Sequence, residues 1–272
     1  MSDTAPVVLI TGCSSGIGRA TAERFRDARW RVWATARDPT DITDLAEAGC
    51  RTAALDVTEA EAIDAVVERV IARDGRIDCL VNNAGFGQAG AVEEIPLDRL
   101  RTQFEVNTFG PVRLAQAVLP HMRDAGRGRI VNVSSMLGRV SYPTRGAYAG
   151  SKHALEALSE ALRAETAGFG VDVVLIEPGA VRTGFEDRLH ETESGLEEGE
   201  SYERLRGIVD RAQRLSERRG MAPGRVADAI YRAATVERPN ARYVVGWDAR
   251  LAILADRVIP ARVGDWLYRR LS

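Results

Sequence analysis

Short apolar runs recur along the chain with room for a helix between them. Val7–Ile10 is the first; Arg31–Thr35, Thr52–Leu55, Ile77–Val81, Arg129–Val133, Val171–Glu177 and Ala241–Val245 follow. Helical periodicity fills the gaps. One pattern runs to about Ala28, and Ile63, Val66, Val67, Val70 and Ile71 form a stripe. Longer patterns cover Asp98–Arg123 and Tyr148–Ala167. Thr58 and Glu61 have the spacing of a capping box ahead of the stripe. Continuously apolar strands alternating with helices predict a parallel sheet covered on both faces. No linker or internal repeat breaks the pattern, so residues 1–272 are expected to form one domain.

Between the first strand and the first helix lies Thr11-Gly12-Cys13-Ser14-Ser15-Gly16-Ile17-Gly18. Glycines there let the backbone approach a pyrophosphate at a helix N-terminus, where free N–H groups and the dipole favour negative charge. With right-handed crossovers this predicts an α/β fold with a Rossmann-type doubly wound sheet. After the sixth strand, residues 184–222 turn charged and weakly apolar at the ligand-binding edge of such a sheet. That segment reads as a substrate lid or as a solvated helical insertion.

Composition narrows the chemistry. A net charge of −2 gives no bias towards nucleic acid. Cys13, Cys50 and Cys79 are odd in number and scattered, and His121, His153 and His190 lack metal-ligand spacing. No disulfide framework and no metal site are expected. No secretory leader or long apolar span stands out, and a cytoplasmic protein is expected. Of 37 basic residues a single one, Lys152, is lysine, four positions after Tyr148. In a chain that otherwise uses arginine for positive charge, this position calls for a compact ammonium rather than a planar fork. At i and i+4 on a helix, Tyr148 and Lys152 share a face.

Taken in order, Thr11-Gly12-x-x-x-Gly16-Ile17-Gly18, Asn82-Asn83-Ala84-Gly85, Asn107, Ser135, Tyr148-x-x-x-Lys152 and Pro178-Gly179-x-x-x-Thr183 resemble the short-chain dehydrogenase/reductase family. Gly110-Pro111, Leu119-Pro120 and Ile176-Glu177-Pro178-Gly179 are similar to its 17β-hydroxysteroid dehydrogenase-like subgroup. The resemblance implies hydride transfer between a nicotinamide cofactor and a ketone or secondary alcohol. Tyr148 would be the acid/base, Lys152 would lower its pKa and bind ribose, Ser135 would orient the carbonyl, and Asn107 would hold a relay water. It implies cofactor contacts from Gly12, Ser14, Ser15, Gly16, Ile17, Gly18, Asp56, Val57, Asn83, Ala84, Gly85, Pro178, Gly179, Val181 and Thr183. Phe86, Tyr142 and Phe185, with Ser135 and Tyr148, are expected to contact a hydrophobic substrate.

Unperturbed, a tyrosine titrates near 10, about three units too high for base chemistry at neutral pH, so roughly 4 kcal/mol of phenolate stabilisation is needed. A nearby ammonium and the oxidised nicotinamide both act in that direction. Ala36-Arg37 follows the second strand where an acid would select NAD(H), and a guanidinium there favours NADP(H). Asp38, one step on, is what keeps NAD(H) in play. A non-catalytic NADP(H)-sensing regulator is the alternative from another class. The resemblance implies a homodimer or homotetramer built on the two long helices. Leu251–Leu271 interleaves apolar residues with Arg257, Arg262, Arg269 and Arg270. It would close the substrate side, lie on a membrane surface, or pack on a partner subunit.

Overall fold

The computed structural model describes residues 5–185, 192 and 200–271. Seven strands form one parallel sheet in the order β3-β2-β1-β4-β5-β6-β7. They are β1 (Val7–Ile10), β2 (Arg31–Ala36), β3 (Arg51–Ala54), β4 (Cys79–Asn82), β5 (Gly128–Val133), β6 (Val171–Pro178) and β7 (Arg242–Val245). All seven expected strands are present, displaced by at most two residues at an end.

Both faces are covered, and the strand alternation shows how. Val8 and Ile10 join one core with Phe25 of α1 (Gly16–Asp27), Leu45 of α2 (Thr43–Glu47) and Val226 and Ile230 of α8 (Pro223–Thr235). Val7 and Leu9 join the other, with Val66 and Val70 of α3 (Ala60–Asp74) and Leu114 and Val118 of α5 (Gly110–Asp124). Successive side chains of one strand thus serve opposite layers. The strand order reverses between β1 and β4, which places a crevice at the carboxyl ends of those strands.

Two local expectations need correction. The Thr58–Glu61 capping box does not form: α3 begins at Ala60 after Glu59, whose side chain makes no cap bond. Thr58 bonds backward instead, its N–H and hydroxyl both donating to Asp56 Oδ1 at 2.9 and 2.7 Å. A short polar side chain can bond its own turn in this way. The helix expected over Asp98–Arg123 is also interrupted. It divides into α4 (Leu97–Phe104), one wide π-turn (Glu105–Phe109) and α5. Such turns concentrate at functional positions, and this one carries Asn107.

The second long helix, α6 (Gly146–Thr166), follows Thr144, a non-glycine residue at φ 61°. The Thr144 carbonyl accepts the Gly90 N–H at 3.0 Å, tying the start of α6 to the loop after β4. The remaining helices are α7 (Glu203–Arg218), α9 (Trp247–Val258) and α10 (Ala261–Leu271). No helix among the described residues is long and apolar enough to cross a membrane.

Candidate active site

Most of the expected site residues converge on the carboxyl edge of the sheet. Three backbone segments meet at the glycine turn. Asn83 Nδ2 donates to the carbonyls of Thr11 and Gly12 at 2.9 and 3.0 Å. The Thr11 hydroxyl accepts the N–H groups of Asn83 and Ala84, both at 3.0 Å. Asn83 and Ala84 therefore shape the turn from behind, and Thr11, absent from the expected contacts, is the clamp between them. A Cβ on Gly18 would collide with the Gly12 carbonyl oxygen, and one on Gly12 would lie 2.8 Å from Ala84 Cα. Gly12 and Gly16 also sit at positive φ, 71° and 58°, which other residues adopt only with strain.

A Cβ on Gly16 would lie 2.9 Å from Thr183 Cγ2, so the segment after β6 reaches back to this turn. Ser15 is the N-cap residue of α1, and no acidic residue stands in the first turn of that helix. The bare backbone and the uncompensated helix N-terminus fit an anionic pyrophosphate beside Ser14, Ser15 and Ile17.

The rim carries the remaining expected contacts. Arg37 lies just past β2, exposed and without an ion-pair partner among the described residues. Asp38 is turned away into its own loop, accepting the Thr40 N–H at 2.9 Å and its hydroxyl at 2.7 Å. Those bonds hold its carboxyl below the usual range. Val57 packs on the start of α5, where a Cβ on Gly110 would lie 2.9 Å from its Cγ2.

The chemical groups come from the π-turn, the end of β5 and α6. Lys152 is buried, and its Nζ donates to the Val133 carbonyl at 2.8 Å. Burial pushes its ammonium down to about 8, opposed by the charge of Glu156. Its Nζ stands 5.8 Å from the centre of the Tyr148 ring. Asn107, fully buried, holds the backbone of Phe86 at both ends: Oδ1 accepts its N–H at 3.1 Å and Nδ2 donates to its carbonyl at 2.8 Å. A Cβ on Gly85 would lie 3.1 Å from Asn107 Oδ1 and 3.7 Å from Lys152 Nζ, so glycine is what lets these groups meet. Ser135 follows β5 and accepts the Leu137 N–H at 3.1 Å. The Phe185 ring lies 5.5 Å from the Tyr148 ring. Tyr142 is half-exposed in the β5–α6 connection, and Phe86 enters through its backbone bonds.

Five supporting residues, Gln88, Gln103, Glu156, Arg242 and Asp248, escaped the sequence reading. Gln103 Oε1 accepts the Gln88 N–H at 2.6 Å while its Nε2 donates to the Phe86 carbonyl at 2.8 Å. Asp248 Oδ2 accepts the Ala180 N–H at 2.7 Å, and a Cβ on Gly179 would strike that carboxylate. Glu156, one turn beyond Lys152, shares Arg242 with Glu177: Arg242 Nε is 3.2 Å from Glu156 and 3.0 Å from Glu177, which is fully buried. Burial raises the Glu156 carboxyl pKa. These hydrogen bonds span 15, 17, 68 and 86 positions, and no local spacing announces them.

Of the segment 184–222, residues 186–191 and 193–199 lie outside the described residues. Thr192 docks on the loop after β4, its hydroxyl donating to the Gly87 carbonyl at 3.2 Å and its carbonyl accepting from Arg99 at 3.0 Å. On α7, Arg206 pairs with Glu94 at 2.7 Å, both largely buried, and Asp210 lies 3.7 Å from Arg145.

The family model described as short chain dehydrogenase matches residues 6–194. The chain is 38% identical over 259 residues to the uncharacterized oxidoreductase YbbO of Escherichia coli, covering 95% of this chain and 92% of that one. It is 37% identical over 243 residues to a 3-ketodihydrosphingosine reductase of Bacteroides thetaiotaomicron, with 88% and 87% covered. An NADPH-dependent 3-dehydrocapnine reductase of Ornithobacterium rhinotracheale is 33% identical over 273 residues, with 96% and 95% covered. The crystal structure of a short-chain dehydrogenase from Streptomyces avermitilis superimposes with a TM-score of 0.85 at 39% identity, covering 99% and 98%.

Proposed function

The chain belongs to the short-chain dehydrogenase family, and from that premise we propose that it is an oxidoreductase reducing a hydrophobic ketone with NADPH, or running the reverse oxidation. The observation that carries the reading is the ammonium of Lys152, the chain's only lysine, buried beside Gly85 and Asn107 on the same helix as Tyr148.

The glycine turn would hold the pyrophosphate, Asp56 and Val57 would border the adenine, and Thr183 would meet the carboxamide beyond Pro178, Gly179 and Val181. When bound, the dinucleotide supplies the hydride. Everything else falls to side chains of this chain. Ser135 would hold the carbonyl oxygen in reach of Tyr148 and donate to it as negative charge develops. Tyr148 would give that oxygen its phenolic proton, and Lys152 would stabilise the phenolate left behind. Asn107 would keep a water within reach of Lys152, through which the proton returns from solvent.

Arg37 and Asp38 support NADP(H) over NAD(H). The carboxylate that would repel a 2′-phosphate is bonded to Thr40, and the guanidinium that would receive it is exposed, with no ion-pair partner among the described residues. Phe185 against the Tyr148 ring supports an apolar substrate, as do relatives named for a ketodihydrosphingosine and a dehydrocapnine. The docked Thr192 and the Arg206–Glu94 pair support the role of residues 184–222 as a substrate lid. Consumption of NADPH with long-chain 3-keto lipids, retinoids, steroids and small ketones tests the proposal. Turnover of a hydrophobic ketone is expected, and no turnover with the whole panel would favour a cofactor-sensing role instead.

A further inference from the structure

We propose that the outward surface of the last two helices docks on an anionic lipid bilayer; this surface is separate from the reaction proposed above. Helix α9 faces the body of the protein through Ala249 and Ile253, both buried. Trp247, Leu251, Leu254 and Val258 recur three or four residues apart on the opposite side, and are 70%, 57%, 58% and 71% exposed. In an ordinary surface helix such a stripe faces the core. Here it faces out. Helix α10 adds Val263 and Trp266, half-exposed. One exposed leucine needs no explanation, but six large apolar side chains on consecutive helices mark a contact surface.

Charge selects the occupant. Residues 247–271 carry five arginines, all exposed, against three aspartates, in a chain whose net charge is −2. Arg270 Cζ lies 4.2 Å from the centre of the Trp266 ring, joining a cation to an amphipathic aromatic. A second copy of the chain on this surface would use the same patch twice and bring the arginine rims of both copies together. An anionic bilayer satisfies both features: the aliphatic and indole groups enter the acyl boundary while guanidinium groups reach lipid phosphates. Trp247 also lines a cavity of about 530 Å³ together with Ala180, next to the Pro178–Gly179 turn, Leu215 and Met221.

Flotation of the full chain with vesicles tests this directly. The protein is expected to float with phosphatidylcholine–phosphatidylglycerol vesicles, less with phosphatidylcholine alone, and less again as salt is raised. Leu251→Asp with Leu254→Asp should lower the floated fraction on the order of tenfold. Both sites are exposed, so the fold is expected to survive; if it does not, Arg262→Gln with Arg269→Gln and Arg270→Gln carries the test, removing the preference for phosphatidylglycerol. A wild-type protein that stays at the bottom of every gradient overturns the proposal, as do variants that float like the wild type. A dimer in sedimentation velocity that Leu251→Asp and Leu254→Asp splits, with no flotation, would assign the surface to a second copy and equally overturn it.

Discussion

Lys152 Nζ stands 5.8 Å from the centre of the Tyr148 ring and spends a hydrogen bond on the Val133 carbonyl, 2.8 Å away. The bond anchors the ammonium to the last residue of β5, two positions before Ser135. Sheet and helix are thereby locked together beside Tyr148. Here a flexible stem ends in a compact donor beside Gly85 and Asn107, where arginine would bring a broader planar fork. Lys152→Arg is expected to fold and yet lose on the order of 100-fold in kcat. Steady-state kinetics beside a thermal melt check this, and near-normal kcat would show that charge alone suffices.

Arg37 bears on the choice of dinucleotide. A charge-assisted contact to a 2′-phosphate is worth roughly 1.5–3 kcal/mol. Arg37→Ala should therefore reduce kcat/KM with NADPH about 10- to 100-fold and leave the value with NADH nearly unchanged. Equal losses with both cofactors, or a wild-type preference for NADH, would contradict the assignment.

Burial of Lys152 makes a prediction about stability. The folded chain releases this proton near 8, whereas an unfolded lysine keeps it to about 10.4. Between those values the unfolded state binds more protons, so this group makes stability rise with pH. Cys13, pushed up to about 12 by burial, acts in the opposite sense but titrates alike in Lys152→Met. The stability of the wild type relative to Lys152→Met should therefore grow between about pH 8 and pH 10, by ~3 kcal/mol at most. Denaturant titrations of both proteins measure it, and parallel curves would place the ammonium in water.

The sheet was legible because its central strands are built around short apolar runs bounded by turn residues, as in Val7–Ile10 and Cys79–Val81, a pattern that burial on both faces imposes. The glycine turn was legible because its requirement is local: Gly18 leaves no space for a side chain against the Gly12 carbonyl. The π-turn was not legible. Its distortion is one extra residue inside a helical pattern, and the polar contacts that use it, from Asn107 to Phe86 and Ser151, span 21 and 44 positions. The Glu156–Arg242–Glu177 cluster was hidden for the same reason. Charged residues on a helix read as a solvated face until the fold sets β6 and β7 against them.

Tyr148 is proposed as the group that gives and takes the proton, and turnover of Tyr148→Phe beside its NADPH affinity tests that role most directly. Loss of the hydroxyl leaves the helix, the Phe185 contact and the glycine turn in place. The kcat should fall by ~10²–10⁴-fold while NADPH binds within about twofold of the wild type. Retained turnover at unchanged NADPH affinity would contradict the assignment of Tyr148.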